Sequence, residues 1–151
     1  MNARTFAHRN LPLLLLQARE RVLARFRPLL NEHGVTEQQW RILRALHELG
    51  PMEPREIGEA CRISSPSMAG VLARMDDLGL VLRKRLDRDQ RRVMVALTPK
   101  SRALVARVAP QVEATYSALE SELGAERVER LYRTIDELLA TLLPAGGESA
   151  E

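Results

Sequence analysis

The stretch Ile57-Gly58-Glu59-Ala60-Cys61-Arg62-Ile63-Ser64-Ser65-Pro66-Ser67-Met68-Ala69-Gly70-Val71-Leu72 decides the fold. Two helical patterns meet in it. The first, Pro54 to Cys61, opens on a proline, which a helix tolerates at its first position. Arg62-Ile63-Ser64 is a tight connection. The second begins near Ser65 and carries Met68, Val71, Leu72, Met75 and Leu78 at the i, i+3, i+4, i+7 spacing of one helix face. Gly79 ends it. Ala60, a small residue, is expected where the two helices touch. Short helices joined in this way form a helix-turn-helix. The period then changes. Val81 to Leu86 and Arg92 to Leu97 read as strands, the second rich in β-branched residues. Asp87-Arg88-Asp89-Gln90-Arg91 is a polar connector between them. A helix-turn-helix followed directly by a hairpin predicts a winged lobe.

Helices flank the lobe. Residues 1–10 are polar. Leu11 to Asn31 follows as a helix, and Leu15, Ala18, Val22, Phe26, Leu29 and Leu30 fall in one arc at 100° steps. That arc is expected to be buried, and Arg19 lies in its middle. Gly34 is expected in a left-handed conformation after the helix. Thr36 and Gln39 make a capping box for the next helix, which ends at Gly50-Pro51. Beyond the hairpin, Thr98 and Pro99 open a long helix to Leu123, striped by Leu104, Val105, Val108, Val112, Tyr116 and Leu119. Gly124 breaks it. A last helix, Ala125 to Leu143, carries Val128, Leu131, Ile135, Leu138, Leu139 and Leu142. The expected class is mainly α with a small β-wing. The expected organisation is one domain over residues 1–151: a DNA-binding lobe over 35–98, a helical stalk from 11–31 and 99–143, and a flexible acidic tail over 144–151. There is no internal repeat.

Composition narrows the function. The chain has 151 residues, enough for a core without staples. Aromatics are 3%, so that core must be aliphatic. One cysteine removes the secreted disulfide scaffolds. The apolar run Leu11 to Leu16 is too short for a membrane span or a signal peptide, so a cytoplasmic protein is expected. The net charge of +3 hides a split: residues 1–112 hold 20 basic and 11 acidic side chains, residues 113–151 hold 3 and 9. Of the 23 basic residues, 21 are arginine, the side chain that forks onto phosphate and guanine.

These features place candidate DNA contacts. Ser64, Ser65 and Ser67 open the second helix, where hydroxyls and helix amides can bond phosphate together. Its outward face holds Pro66, Ala69, Gly70 and Ala73, all small, with Ser65, Ser67 and Arg74 beside them. Small residues imply close approach to the groove floor. The hairpin stretch 83–92 carries six basic residues, among them Arg85, Arg88 and Arg91. A wing of this kind tracks phosphate and inserts an arginine into the minor groove.

The chain resembles the MarR family of transcription regulators over nearly its whole length. The family's wing pattern matches Asp87-Arg88-Asp89-Gln90-Arg91 followed by Leu97-Thr98, and Arg74-Met75-Asp76 with Gly79-Leu80-Val81-Leu82-Arg83 matches the segment before it. Ser101 departs from the usual glycine, which puts the start of the following helix in question. The resemblance implies a homodimer whose first and last helices interlock and whose two lobes read a pseudo-palindromic duplex. It makes Arg91 the minor-groove arginine and Asp89 the acid that steadies it. Leu16–Glu20, Phe26–Leu29 and Thr36–Arg41 resemble, within the family, repressors of aromatic (homoprotocatechuate, 4-hydroxyphenylacetate) catabolic operons. That implies release from DNA by a small phenolic carboxylate. The apolar stripes of the flanking helices, too wide for one small lobe to cover, agree with the dimer.

His8, His33 and His47 lack metal-ligand spacing, so neither a metal nor a cofactor is expected. No nucleophile–base arrangement or glycine-rich phosphate loop is present, which argues against an enzyme. Cys61 reads as a small buried hydrophobe before it reads as an oxidant sensor. A charge at Arg19 on a buried stripe is costly unless paired. It is either an ion-pair partner for a glutamate of a neighbouring helix or the anchor for the effector's carboxylate. Trp40 and His47 fall within about 20° on the second helix, with Arg44 at the edge, a set suited to a phenolic acid. An effector-independent architectural DNA binder is the competing function, and it would not need that group.

Overall fold

The computed structural model describes residues 4–86 and 92–144. Its elements are α1 (Leu11–Glu32), α2 (Glu37–Leu49), α3 (Pro54–Cys61), α4 (Ser65–Asp77), β1 (Val81–Leu86), β2 (Arg92–Leu97), α5 (Pro99–Leu123) and α6 (Ala125–Thr141). The chain divides into two compact units, 1–112 and 113–151, with the boundary inside α5. The tail expected over 144–151 lies outside the described residues from 145 onward.

Local chemistry places the helix ends. α1 starts where the Asn10 side chain accepts from the Leu13 amide at 3.1 Å. It ends in a Schellman arrangement: Gly34 is left-handed at φ +69, its amide reaches Asn31 O, and the Val35 amide reaches Leu30 O. Thr36 and Gln39 exchange backbone-to-side-chain bonds of 3.1 Å in both directions, completing the expected capping box of α2. Such a cap contributes about 1 kcal/mol.

The start of α5 answers the question raised by Ser101. The Thr98 amide donates to Ser101 Oγ at 2.9 Å, and the Ser101 amide donates to Thr98 Oγ1 at 3.1 Å. The Thr98 hydroxyl is also bonded to Gly79 O at 2.7 Å, so the same residue ties α5 to the end of α4. Ser101 is fully buried and fully bonded. Serine at this position strengthens the helix start.

Unit 1 holds the core: Leu30, Ile42, Leu43, Ile57, Met75, Val95 and Val108 are fully or almost fully buried, and Phe26 is the aromatic among them. β1 and β2 pair antiparallel from Val81↔Leu97 to Leu86↔Arg92. The sheet has one contact beyond the expected hairpin. Met52, between α2 and α3, bridges Val95 through amide–carbonyl bonds of 3.0 and 2.8 Å. A single residue between Pro51 and Glu53 is too short to show a strand period.

One expectation fails. The α1 arc is not buried along its length. Phe26 and Leu30 are in the core, but Leu15 and Val22 are 49% and 40% exposed. Arg19 is likewise open, with a side chain 48% exposed. α1 is longer than the face that unit 1 can cover, so only its C-terminal part packs. In unit 2, α6 buries no residue, and Leu131, Ile135, Leu139 and Leu142 face outward.

A candidate nucleic-acid interface

α4 divides as its sequence requires. Met68, Leu72 and Met75 go into the core, while Ser65, Pro66, Ser67, Ala69, Gly70, Ala73 and Arg74 face solvent. No side chain caps this helix. The Ser64 hydroxyl instead donates to Ser67 Oγ at 3.1 Å. The backbone amides of the first turn are therefore left for an acceptor from outside, and the helix dipole favours an anion there. A Cβ built on Gly70 would meet nothing within 4 Å, so the face around it is open to a groove.

The contact between α3 and the turn is made by Gly58 and not by Ala60, which is exposed. A Cβ on Gly58 would lie 3.1 Å from Ile63 O and 3.7 Å from Met68 Cε. The Ile63 amide also bonds Gly58 O at 3.0 Å. The correction is one of angle: on an eight-residue helix, two positions separate the buried face from the open one. Arg62 makes the turn in a left-handed conformation at φ 54, unusual for a residue with a Cβ.

A cleft of about 820 Å³ runs between α3, α4 and β1, lined by Arg55, Arg62 and Arg83 together with Ser64, Ser65, Ala69 and Ala73. Arg83 belongs to the basic stretch of the hairpin, whereas nothing in the sequence marks Arg55 or Arg62. Arg62 looked like connector, and only the fold brings Arg55 and Arg83 to the same cleft as the serines. On the wing, Lys84 and Arg85 are exposed. Arg92 is held at 2.7 Å by Glu53, which ties the hairpin to the start of α3. Arg88, Asp89 and Arg91 lie outside the described residues.

The four residues assigned to an effector are arranged as follows. Trp40 is half-buried on α2. Arg44 donates to Glu48 at 2.8 Å on the same helix. His47 is exposed and lines a cavity of about 350 Å³ with Leu46, Gly50, Pro51, Ala96, Leu97 and Arg102. Arg19 pairs with Glu37 of α2 at 3.5 Å and with Glu20 at 3.7 Å. The ion-pair alternative for Arg19 is thus the one present in the chain. It is a half-exposed pair, not the buried charge that the arc implied.

Glu37 also has a second arginine. Arg41, one turn on, donates to its two carboxylate oxygens at 3.0 and 2.8 Å, and its third nitrogen donates to Cys61 O at the end of α3. The Cys61 thiol in turn lies 3.5 Å from Arg41 O. Burial pushes the Cys61 thiol above its ordinary pKa, although the charge of Arg41 opposes this. A thiol held in its neutral form is a poor nucleophile, so the residue is a packing group. The hydrogen bond and charge of Arg27, with a smaller effect of Arg19, hold the carboxyl of Glu20 below its usual pKa.

The MarR family pattern matches residues 35–93, which span α2 to the second wing strand. The homoprotocatechuate degradative operon repressor of Escherichia coli is 39% identical over 133 residues, covering 88% of this chain and 90% of that protein. The chain belongs to the MarR family. It is a DNA-binding transcription regulator with a winged helix-turn-helix. The crystal structure of transcriptional regulator PA4135 is 40% identical, with a TM-score of 0.85 over 91% of this chain and 100% of that one. NadR in complex with 4-hydroxyphenylacetate is 36% identical, with a TM-score of 0.77 over 90% and 96%. Among the described residues, no helix is long and apolar enough to cross a membrane.

Proposed function

We propose that this MarR-family chain is the homodimeric repressor of an aromatic catabolic operon, and that a phenolic phenylacetate releases it from DNA in the cytoplasm. The observation that carries the DNA-binding part is the open face of α4: small residues at its centre, uncapped amides at its start and arginines around the adjoining cleft. Such a face approaches the groove floor closely and leaves affinity to phosphate contacts and DNA shape. Residues 35–98 act as the lobe, and 11–31 with 99–143 supply the dimer helices. Leu11, Leu13, Leu15, Leu16 and Val22 on α1, with Leu131, Ile135 and Leu139 on α6, support the dimer, because a free chain rarely shows so much apolar surface.

The effector reading rests on similarity to a homoprotocatechuate operon repressor and to a structure that holds 4-hydroxyphenylacetate. Arg19 suits the ligand's carboxylate. It already faces a carboxylate, but at 3.5 Å, longer than the 2.7–2.9 Å of a good charge-assisted bond, so the partner is exchangeable. Trp40 supplies a ring wall, with Arg44 and His47 on the same helix face for the phenolic end.

The test is fluorescence anisotropy on an operator duplex obtained by in vitro selection. Saturating 4-hydroxyphenylacetate or its 3,4-dihydroxy form is expected to weaken binding at least tenfold, about 1.4 kcal/mol of coupling. Five base pairs inserted at the operator centre should abolish specific binding by placing one half-site on the opposite face. Unchanged affinity with both ligands would refute the effector. Retained affinity for the lengthened duplex would refute the dimeric reading.

A further inference from the structure

The turn between α3 and α4 is held in place by one side chain from outside the motif. The last carbonyls of a helix have no partner within it. At the end of α3, Cys61 O is taken by Arg41 of α2. The next residue, Arg62, is in a left-handed conformation without being glycine, which a turn keeps only if its surroundings enforce it. Three contacts enforce it: the Arg41 guanidinium on the carbonyl before Arg62, the amide of Arg62 itself on Gly58 O, and the Ile63 amide on the same Gly58 O at 3.0 Å. The Cys61 thiol and Arg41 O, 3.5 Å apart, fasten the same two segments a second time.

Arg41 is itself aimed. Glu37 takes two of its nitrogens at 3.0 and 2.8 Å, so the guanidinium fork is fixed and its remaining nitrogen points at the turn. The pair is shielded, with Arg41 and Glu37 side chains 28% and 24% exposed, and bidentate, the geometry in which such a pair has real strength. None of these groups lies on the open face of α4. Glu37 is also the carboxylate that Arg19 of α1 approaches at 3.5 Å, and Arg19 shares Glu20 with Arg27.

We infer that Arg41 is a positioning residue for DNA reading: oriented by Glu37, it sets the helix-turn-helix turn, and through Glu37 it feels the state of Arg19. It touches no DNA. It fixes the angle at which α4 is presented, and an anion that captures Arg19 changes the load on Glu37 and hence on the turn. The link to Arg19 rests on the effector reading above. The link from Arg41 to the turn does not.

Arg41→Lys keeps the charge but cannot hold two carboxylate oxygens and a carbonyl with one fork. Its affinity for the selected operator is expected to fall at least tenfold, while its affinity for a scrambled duplex of the same length, set by net charge, stays within twofold. A residue with only a structural role would lower the melting temperature and leave the ratio of the two affinities alone. Operator affinity within twofold of wild type overturns the proposal. If circular dichroism shows that Arg41→Lys does not fold, Glu37→Gln decides. It leaves Arg41 unaimed, and it should lose at least threefold on the operator and nothing on the scrambled duplex; an unchanged ratio overturns the proposal. With 4-hydroxyphenylacetate, Glu37→Gln should still bind the ligand by calorimetry, but the ligand's effect on operator affinity should drop from tenfold or more to below threefold. A full effect overturns the coupling. A wild type that binds no phenylacetate refutes the effector instead, and the operator ratios still judge Arg41.

Discussion

The contrast between Gly58 and Gly70 gives a quantitative test of how the recognition helix is seated. Both are helical glycines, and both would gain about 0.8–1.0 kcal/mol from alanine by propensity alone. Their surroundings differ. At Gly70 the added methyl meets nothing within 4 Å, so Gly70→Ala should stabilise by nearly that full amount. At Gly58 it arrives 3.1 Å from Ile63 O, a backbone atom of the turn, with Met68 Cε at 3.7 Å. Met68 Cε can swing away; the carbonyl moves only if the turn moves. Overpacking of this kind costs about 1–3 kcal/mol. Gly58→Ala should therefore range from neutral to about 2 kcal/mol destabilising, and lie about 1–3 kcal/mol below Gly70→Ala. Urea denaturation of the two variants in parallel measures the difference, provided that the m values agree. Thermal melts should separate them by several degrees, since 1 kcal/mol is worth roughly 2–4 °C at this size. Equal stabilisation by both substitutions would mean that α3 and the turn are not in close contact at Gly58, and the account of how α4 is held would fail with it.

Gly70→Glu should abolish operator binding while the protein stays folded, because the side chain has room but brings bulk and negative charge to the groove-facing surface; gel-shift assays beside circular dichroism check this. Arg19→Gln should weaken 4-hydroxyphenylacetate at least tenfold by calorimetry, the loss of about 1.4 kcal/mol; ligand binding as tight as wild type would leave Arg19 as the partner of Glu37 alone. Cys61 should resist thiol-modifying reagents in the folded protein at neutral pH and react once urea unfolds it. Because its folded pKa is raised, the folded state holds the proton more tightly than the unfolded one, so its contribution is whole at neutral pH and declines as pH rises above about 8.5. Urea midpoints measured from pH 7 to pH 10 should fall less in Cys61→Ala than in wild type.

Most of the fold was legible because its signals are local. Thr36 with Gln39, the His33-Gly34 stop, the two prolines at the starts of α3 and α5, and the change of period at Val81 each concern residues within a few positions of one another. Ser101 could have been read in the same way. A hydroxyl three residues after Thr98 can return the cap's hydrogen bond, which glycine cannot. The open face of α4 was legible for the same reason: 100° steps from Met68, Leu72 and Met75 leave Pro66, Ala69, Gly70 and Ala73 on the other side.

The illegible parts are those set by contacts between distant segments. A stripe in sequence says that a face is apolar and not which body covers it. Arg19 therefore looked buried, although within its own chain it sits on uncovered helix beside Glu37. Periodicity gave Ala60 the helix contact, but the nearness of Ile63 O selects Gly58. The pair Glu37–Arg41 was visible as an i, i+4 charge pair, a spacing that usually marks a solvated face. What raises it above that is Cys61 O, twenty residues further along the chain. In this lobe most of the groups expected to touch DNA are carried by one helix and one hairpin and can be read from each, while Arg55 and Arg62 join them from α3 and its turn. The groups that aim them come from α1, α2 and α3 together, and only the fold brings those into register. Substitutions that alter the regulator's response without touching DNA should therefore concentrate at such crossings, with Glu37, Arg41 and Gly58 first among them.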